Sequence, residues 1–374
     1  MDCADIPLAE LGQMPWAPGG PRRPYMAFLE ITQHCNNKCT HCYVDPANRP
    51  STDLPLDWWL DLLDALVAEE TLFLVLTGGE PLVRPDFEDL YVAAKQRGFI
   101  LSVFTNARLV DDALLDLFHR YPPRRVLVSI YGATRETYEK IARVPGSFDQ
   151  AIRGTRRLKE AGIPLYLRTM LLRSNHHELP QLQSLAAELG AQFNFDGAVC
   201  PTVDGDPCVL CERMDPEALV AIETQDPERV AGWRTSVEAY HPEVNRRRFN
   251  CAAGIYGLHI TADGFAMPCP GAGTIRRPLE RDDLRGSLHR FFFDEMLPTL
   301  HELDPDDSPC SRCRLSALCG TCSAARELET GSSRIPSEFG CRVAFLRAQA
   351  AGIDAVPAAY EEKNPEPLYG RGNK

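Results

Sequence analysis

Three cysteines stand close together in the stretch ITQHCNNKCTHCYVDP, at positions 35, 39 and 42, directly after an apolar run. Thiolates are soft ligands, and the CxxxCxxC spacing delivers three of them to one loop. A structural zinc site closes with four ligands, and His34 or His41 can complete one here. A cubane iron–sulfur cluster held by three thiolates keeps one iron open to an external ligand, an arrangement suited to chemistry rather than to scaffolding. Spacing alone leaves both open.

A second group follows in LTGGEPLVRPDF, with Gly78, Gly79, Glu80 and Pro81. Two glycines let the backbone approach a ligand closely, and a carboxylate can meet an ammonium group. An isolated GGE is no more than a turn; its place at the end of the next strand after the cysteine loop is what gives it weight.

Those loops need elements to position them. Six short β-like runs, at 26–32, 71–77, 99–105, 124–130, 164–171 and 191–197, alternate with helical patterns near 55–69, 86–97, 111–119, 148–161 and 178–188. A further helix begins at Asp215, with Pro216 in its first turn. Six βα units in a row predict an α/β fold with a parallel sheet, a partial (β/α)6 TIM-like barrel whose chemistry lies at the C-terminal strand ends. Residues 1–24, rich in Pro and Gly, are expected to form an arm, and 25–230 the barrel. Residues 231–353 form a second, cysteine- and loop-rich domain held by metal, and 354–374 a loose polar tail.

With the cysteine loop and the GGEP loop in register with successive strands, residues 25–200 resemble the radical SAM superfamily. The resemblance implies that Cys35, Cys39 and Cys42 hold a 4Fe-4S cluster and that Gly78 to Pro81 contact S-adenosylmethionine. It also implies that an electron from the cluster splits this cofactor to a 5'-deoxyadenosyl radical that takes a hydrogen from substrate. By the same likeness His41 and Tyr43 pack near adenine, while Thr105, Asn106, Ser129 and Arg168 offer groups for ribose or carboxylate.

The series Cys251, Cys269, Cys310, Cys313, Cys319, Cys322 and Cys341 looks like a SPASM extension, which binds auxiliary 4Fe-4S clusters; two CxxC units alone would equally suit a zinc ribbon. The likeness assigns Cys310, Cys313, Cys319 and Cys341 to one cluster, and Cys251, Cys269 and Cys322 to another with three protein ligands. The chain departs from it in having two residues rather than three between the third and fourth cysteines of the run CSRCRLSALCGTC. It departs again in having Pro270, where sulfatase-maturing relatives carry Asp after the second cysteine of the extension. The loop CPTVDGDPCVLC adds Cys200, Cys208 and Cys211, which the resemblance leaves without a role. With Asp196 they are the candidate catalytic groups.

Across 374 residues, 25% are charged, 44% are hydrophobic and the formal net charge is −12. The acidic balance argues against nucleic acid or anionic lipid as partner. No apolar run reaches the length of a bilayer span, and the acidic N-terminus is unlike a signal peptide, so the cytoplasm is the expected compartment. Fourteen cysteines in a reducing compartment point to metal rather than disulfides. Trp58 and Trp59 read as core, His176 and His177 as a solvated helix entry, Arg246 to Arg248 as a surface charge run, and Cys3 as incidental; Asp204 has no assigned task.

The resemblance favours modification of a ribosomally made peptide or protein, by crosslinking or residue oxidation. Only 34 residues precede Cys35; a separate leader-recognition protein or direct core-peptide binding is then expected, with a flavodoxin- or ferredoxin-type electron donor. Tailoring of a tetrapyrrole or quinone precursor is the alternative enzyme, and a zinc-stabilised binding module the alternative without catalysis.

Overall fold

Runs of Val, Leu, Ile and Phe bounded by turn residues build a nine-stranded sheet in the computed structural model, which describes residues 22–44, 53–239, 253–296, 298 and 308–363. The strands are β1 (Met26–Glu30), β2 (Phe73–Thr77), β3 (Ile100–Thr105), β4 (Arg125–Ser129), β5 (Leu165–Met170), β6 (Gln192–Asp196), β7 (Gly257–Ile260), β8 (Phe265–Met267) and β9 (Arg277–Pro278). Their order is β6-β5-β4-β3-β2-β1-β7-β8-β9, so the sheet is open. Strands β1 to β7 pair in parallel, while β8 and β9 are antiparallel additions. The six expected βα units are therefore present, and three strands beyond residue 230 extend the sheet on the far side of β1.

Register explains the two faces. Leu29 lies opposite Leu76, Leu76 opposite Val103, Val103 opposite Val126 and, across the other neighbour, Leu29 opposite Ile260. All five are fully buried, an apolar layer on the face the helices cover. The alternate layer is mixed: His259, Phe28, Val75, Ser102 and Arg125 follow one another across β7, β1, β2, β3 and β4. Polar groups recur on that face further along, where Ser129, Arg168 and Asn194 are in register.

The covering helices are α1 (Leu56–Ala68), α2 (Phe87–Gln96), α3 (Asp112–Arg120), α4 (Arg135–Ala142), α5 (Ser147–Glu160) and α6 (Leu179–Glu188). Each carries an apolar stripe; α1 buries Trp58, Trp59, Leu62, Leu63 and Leu66, so both tryptophans are core. Helix α4, with only Tyr138, Ile141 and Ala142 as a buried stripe besides Thr137, was not expected from the sequence pattern.

The chain divides into two compact units, Met1–Asp196 with Ala252–Leu297 and Gly197–Cys251 with Pro298–Lys374. In the second, Val237, Leu315, Leu318, Ala344 and Ala348 form a small core against which Cys313 and Cys319 pack. At the chain ends, the described residues make contacts with the rest of the chain. The end of the arm is tied down, since the Arg22 guanidinium donates to the Gly254 carbonyl and Thr71 to the Pro24 carbonyl. Part of the tail is ordered too: Ala358–Lys363 is helical, and the Tyr360 ring stands 6.2 Å from Phe345. Cys3, Arg246 to Arg248 and Cys251 lie outside the described residues.

Candidate active site

The cysteine loop leaves β1 and is held from three directions. The Lys38 and Thr40 amides donate to the Ala142 and Ile141 carbonyls at the end of α4. From the end of β3, the Asn106 side-chain amide donates to Asn36 Oδ1 at 2.6 Å. Arg108, two residues on, donates to the Asn36 carbonyl, to Asn37 Oδ1 at 2.7 Å and to Gln150 Oε1 at 2.9 Å. Within the loop, the Asn37 amide donates to Cys35 Sγ at 3.3 Å and the Cys42 amide to the Cys39 carbonyl at 3.2 Å. Cys35, Cys39 and Cys42 are each half-buried. These hydrogen bonds hold the loop backbone.

The GGEP loop lies directly against the entrance to that loop. The Gly79 amide donates to the Thr32 carbonyl at 2.8 Å and the Glu80 amide to the His34 carbonyl at 2.9 Å. A Cβ on Gly78, whose φ is +146°, would stand 2.1 Å from the Thr32 carbonyl oxygen; one on Gly79 would stand 2.4 Å from that of His34. The glycines are required by backbone-to-backbone contact.

Glu80 is buried, and its carboxylate is engaged by the protein. Oε1 accepts from Thr105 Oγ1 at 2.7 Å and from the Leu82 amide at 3.2 Å; Oε2 accepts from the Asn106 amide at 2.7 Å. Burial raises its pKa to about 7, against the lowering effect of those bonds and of Arg108. Thr105 and Asn106, expected as cofactor contacts, are in this geometry the partners that lock the end of β3 to the end of β2. Nearby, the buried Arg84 guanidinium donates to the Ile31 carbonyl at 2.7 Å and pairs with Asp86.

The His41 ring packs edge-on against Tyr131, centroids 4.5 Å apart. Burial pushes the Tyr131 phenol up, Cys39 and Cys42 as thiolates push it further, and a hydrogen bond with Ser129 opposes them. Tyr131, just beyond β4, is therefore beside the thiol loop. Its carbonyl accepts from the fully buried Asn175 side chain, which also donates to the Met170 carbonyl. Glu178 fixes the next turn, accepting from the Ala133 and Thr134 amides and the Thr134 and Thr137 hydroxyls. Burial raises its pKa, but these bonds outweigh it and hold the carboxyl below its ordinary value. Arg168 stands over the Phe104 ring at 5.8 Å, Tyr43 is exposed, and Asp196 is exposed at the end of β6.

The other cysteines fall into separate places. Cys269 belongs to the first unit and Cys322 to the second. In the second unit, burial and the negative charge of Cys310, Cys319 and Cys313 push the Cys341 thiol up to about 12. Each of these three sulfurs is thus within electrostatic reach of Cys341. Cys208 and Cys211 are exposed and Cys200 is half-buried in the 200–211 loop. Among the described residues no three His, Cys, Asp or Glu side chains are drawn into a metal-sized group. The donor chemistry of the first loop, three thiols and no carboxylate of its own, fits an iron–sulfur cluster.

Arg84, Arg108, Asn175 and Glu178 were not singled out from sequence. Arg84 and Arg108 follow the motifs within four residues of Glu80 and two of Asn106, which is the one signal that could have drawn attention to them.

Comparison with known proteins agrees with this arrangement. Residues 29–186 match the model of the radical SAM superfamily. An AdoMet-dependent heme synthase of Methanosarcina barkeri is 29% identical over 49% of this chain and 53% of its own. A PqqA peptide cyclase of Granulibacter bethesdensis is 26% identical over 67% of this chain and 69% of its own. The chain thus spans between about half and two thirds of the length of these two relatives. In fold it is similar to Streptococcus suis SuiB bound to its precursor peptide SuiA, with a TM-score of 0.67 at 16% identity over 89% of this chain and 78% of that one. It is likewise similar to anSMEcpe with AdoMet and a peptide, with a TM-score of 0.64 at 14% identity over 87% and 97%. The motif-bearing loops, with the open parallel sheet beneath them, thus lie within the span, residues 29–186, that matches the radical SAM superfamily model.

Proposed function

We propose that this protein reductively cleaves S-adenosylmethionine and takes a hydrogen atom from a peptide or protein substrate, leading to a crosslink or an oxidised residue. The observation that carries the reading is the three-thiol loop pinned against the GGEP loop at adjacent strand ends. When bound by Cys35, Cys39 and Cys42, a 4Fe-4S cluster with S-adenosylmethionine supplies the electron and the radical. The chain's own residues do the positioning. Arg108 and Asn106 hold the loop backbone, Gly78 and Gly79 let the second loop lie flush against it, and Glu80 joins the two strand ends. Gly78 to Pro81, His41, Tyr43, Ser129 and Arg168 remain the groups proposed to surround the cofactor.

The peptide class is supported by the similarity to a PqqA peptide cyclase and by fold neighbours solved with peptides. The similarity to a heme synthase favours, as second reading, a tetrapyrrole-type small molecule. On the peptide reading, Cys310, Cys313, Cys319 and Cys341 hold one auxiliary cluster and Cys251, Cys269 and Cys322 a second within residues 231–353. Asp196 remains a candidate catalytic group, the substrate is presented by a separate leader-recognition protein or bound directly through its core, and a flavodoxin- or ferredoxin-type donor supplies electrons. No helix among the described residues is long and apolar enough to cross a membrane, and we place the reaction in the cytoplasm.

The test is anaerobic reconstitution with iron and sulfide, followed by reduction in the presence of S-adenosylmethionine. The wild-type chain is expected to release 5'-deoxyadenosine, and the Cys35→Ala, Cys39→Ala, Cys42→Ala triple variant to release none while losing about four irons per chain. Cleavage that survives the triple substitution rules the assignment out. Adding candidate precursor peptides or iron porphyrin precursors then separates the two substrate classes by which one raises 5'-deoxyadenosine release and changes mass.

A further inference from the structure

Cys200, Cys208 and Cys211 take no part in the site described above, yet the loop that carries them is shaped around them. The Thr202 amide donates to the Asp206 carbonyl at 3.0 Å, the Asp206 amide to Thr202 Oγ1 at 3.0 Å, and the Gly205 amide to the Thr202 carbonyl at 2.8 Å. Gly205 makes the turn at φ +82°, a backbone position that favours glycine. The chain is therefore folded back on itself at 202 and 206. Two residues outward from that closure, on either side, stand Cys200 and Cys208.

From Pro207 to Glu212 the backbone is a 3-10 turn, begun by Asp206, whose side chain accepts from the Cys208 amide at 2.8 Å. With three residues per turn, positions three apart eclipse one another. Val209 and Glu212, at 4% and 7% exposure, form the inward row, and Cys208 and Cys211 form the outward one. The exit is fixed as well: Arg213 pairs with Glu329 at 3.2 Å and lies over the Phe339 ring at 4.2 Å. Three sulfurs thus share one short loop whose backbone is set by hydrogen bonds at its closure and anchored at its end. No disulfide links the described cysteines.

We propose that Cys200, Cys208 and Cys211 hold a thiolate-bound metal centre of their own, their sulfurs converging on binding, since no three described side chains already stand as a metal-sized group. The shared chemistry is sulfur ligation of a zinc ion or of an additional iron–sulfur cluster. Binding breaks three S–H bonds and releases the protons to solvent as the thiolates form. The assignment does not depend on whether S-adenosylmethionine is cleaved.

The experiment compares the full chain, purified anaerobically, with a Cys200→Ser, Cys208→Ser, Cys211→Ser variant by iron, zinc and sulfide analysis. The variant is expected to lose one zinc, or about four irons with their sulfides, with Cys35, Cys39 and Cys42 intact. A second measurement needs no substitution: iodoacetamide is expected to spare Cys208 and Cys211 in the metal-loaded protein and to label both after metal is stripped. Unchanged metal content in a folded variant, immediate alkylation of the loaded protein, or a Cys208–Cys211 disulfide in the purified chain each overturns the proposal.

Discussion

Glu80 carries three hydrogen bonds in a place shielded from water, and its acidity follows from that balance. Burial holds its carboxyl at about 7 where an exposed one titrates near 4.5, so between those values the folded chain keeps a proton that the unfolded chain has lost. This stabilisation is complete below pH 4.5 and is lost as pH rises through about 7. The shift corresponds to about 3 kcal/mol. In Glu80→Gln the carbonyl oxygen still accepts from the Asn106 amide, but nothing titrates. Urea unfolding of the two proteins from pH 4.5 to 7.5 is expected to show the variant gaining about 3 kcal/mol relative to the wild type as pH rises. A constant difference across that window would mean that the folded carboxyl is charged throughout. The tethers themselves were illegible in the sequence for a plain reason. Arg108 reaches Asn37 across 71 positions and Glu178 reaches Thr137 across 41, distances over which no local pattern carries information.

At the scale of elements, the two glycines of the GGEP loop are there for their neighbours' backbones. Gly79→Ala puts a methyl group 2.4 Å and 2.5 Å from the His34 and Gln33 carbonyl oxygens, neither of which is free to swing aside. We expect a loss of about 1–3 kcal/mol in stability, and a drop in iron bound on reconstitution, because the displaced segment leads straight into Cys35. Gly98→Ala is the control: no atom lies within 4 Å of its added Cβ, so only the strain of φ +87° remains, and iron uptake should stay at the wild-type level. The strands β1 to β6 could be read from sequence because apolar runs of 5 or 6 residues alternate with helical periodicity. Strands β7, β8 and β9 are only 4, 3 and 2 residues long, too short for a period-two pattern to stand out. Helix α4 was hidden because RETYEKIA is mostly polar and packs by one narrow stripe.

At the scale of the molecule, the proposed metal centres are expected to matter to the two units to different degrees. The first has an apolar layer of fully buried residues spanning β7 and β1 to β4. The second has a core cluster of five buried residues, two of them alanine, with cysteines packed against it. In the latter, burial and the neighbouring Cys310, Cys319 and Cys313 push the Cys341 thiol up, so a bound cation would favour its thiolate. Hydrogen exchange after metal is stripped is therefore expected to rise sharply in Glu338–Ala350 and little in β1 to β5. Equal loss of protection in both would show that metal does not hold the second unit.

The way the cysteine loop is propped has a consequence for how the protein is made. Its backbone rests on carbonyls of Ile141 and Ala142, which leave the ribosome about 100 residues after Cys42 does. At about 5–20 residues per second, three thiols emerge several seconds before the structure that will aim them exists. On the proposed function, iron–sulfur assembly at this loop would follow synthesis of the fourth βα unit, and the nascent thiols would have to be kept reduced in the interval.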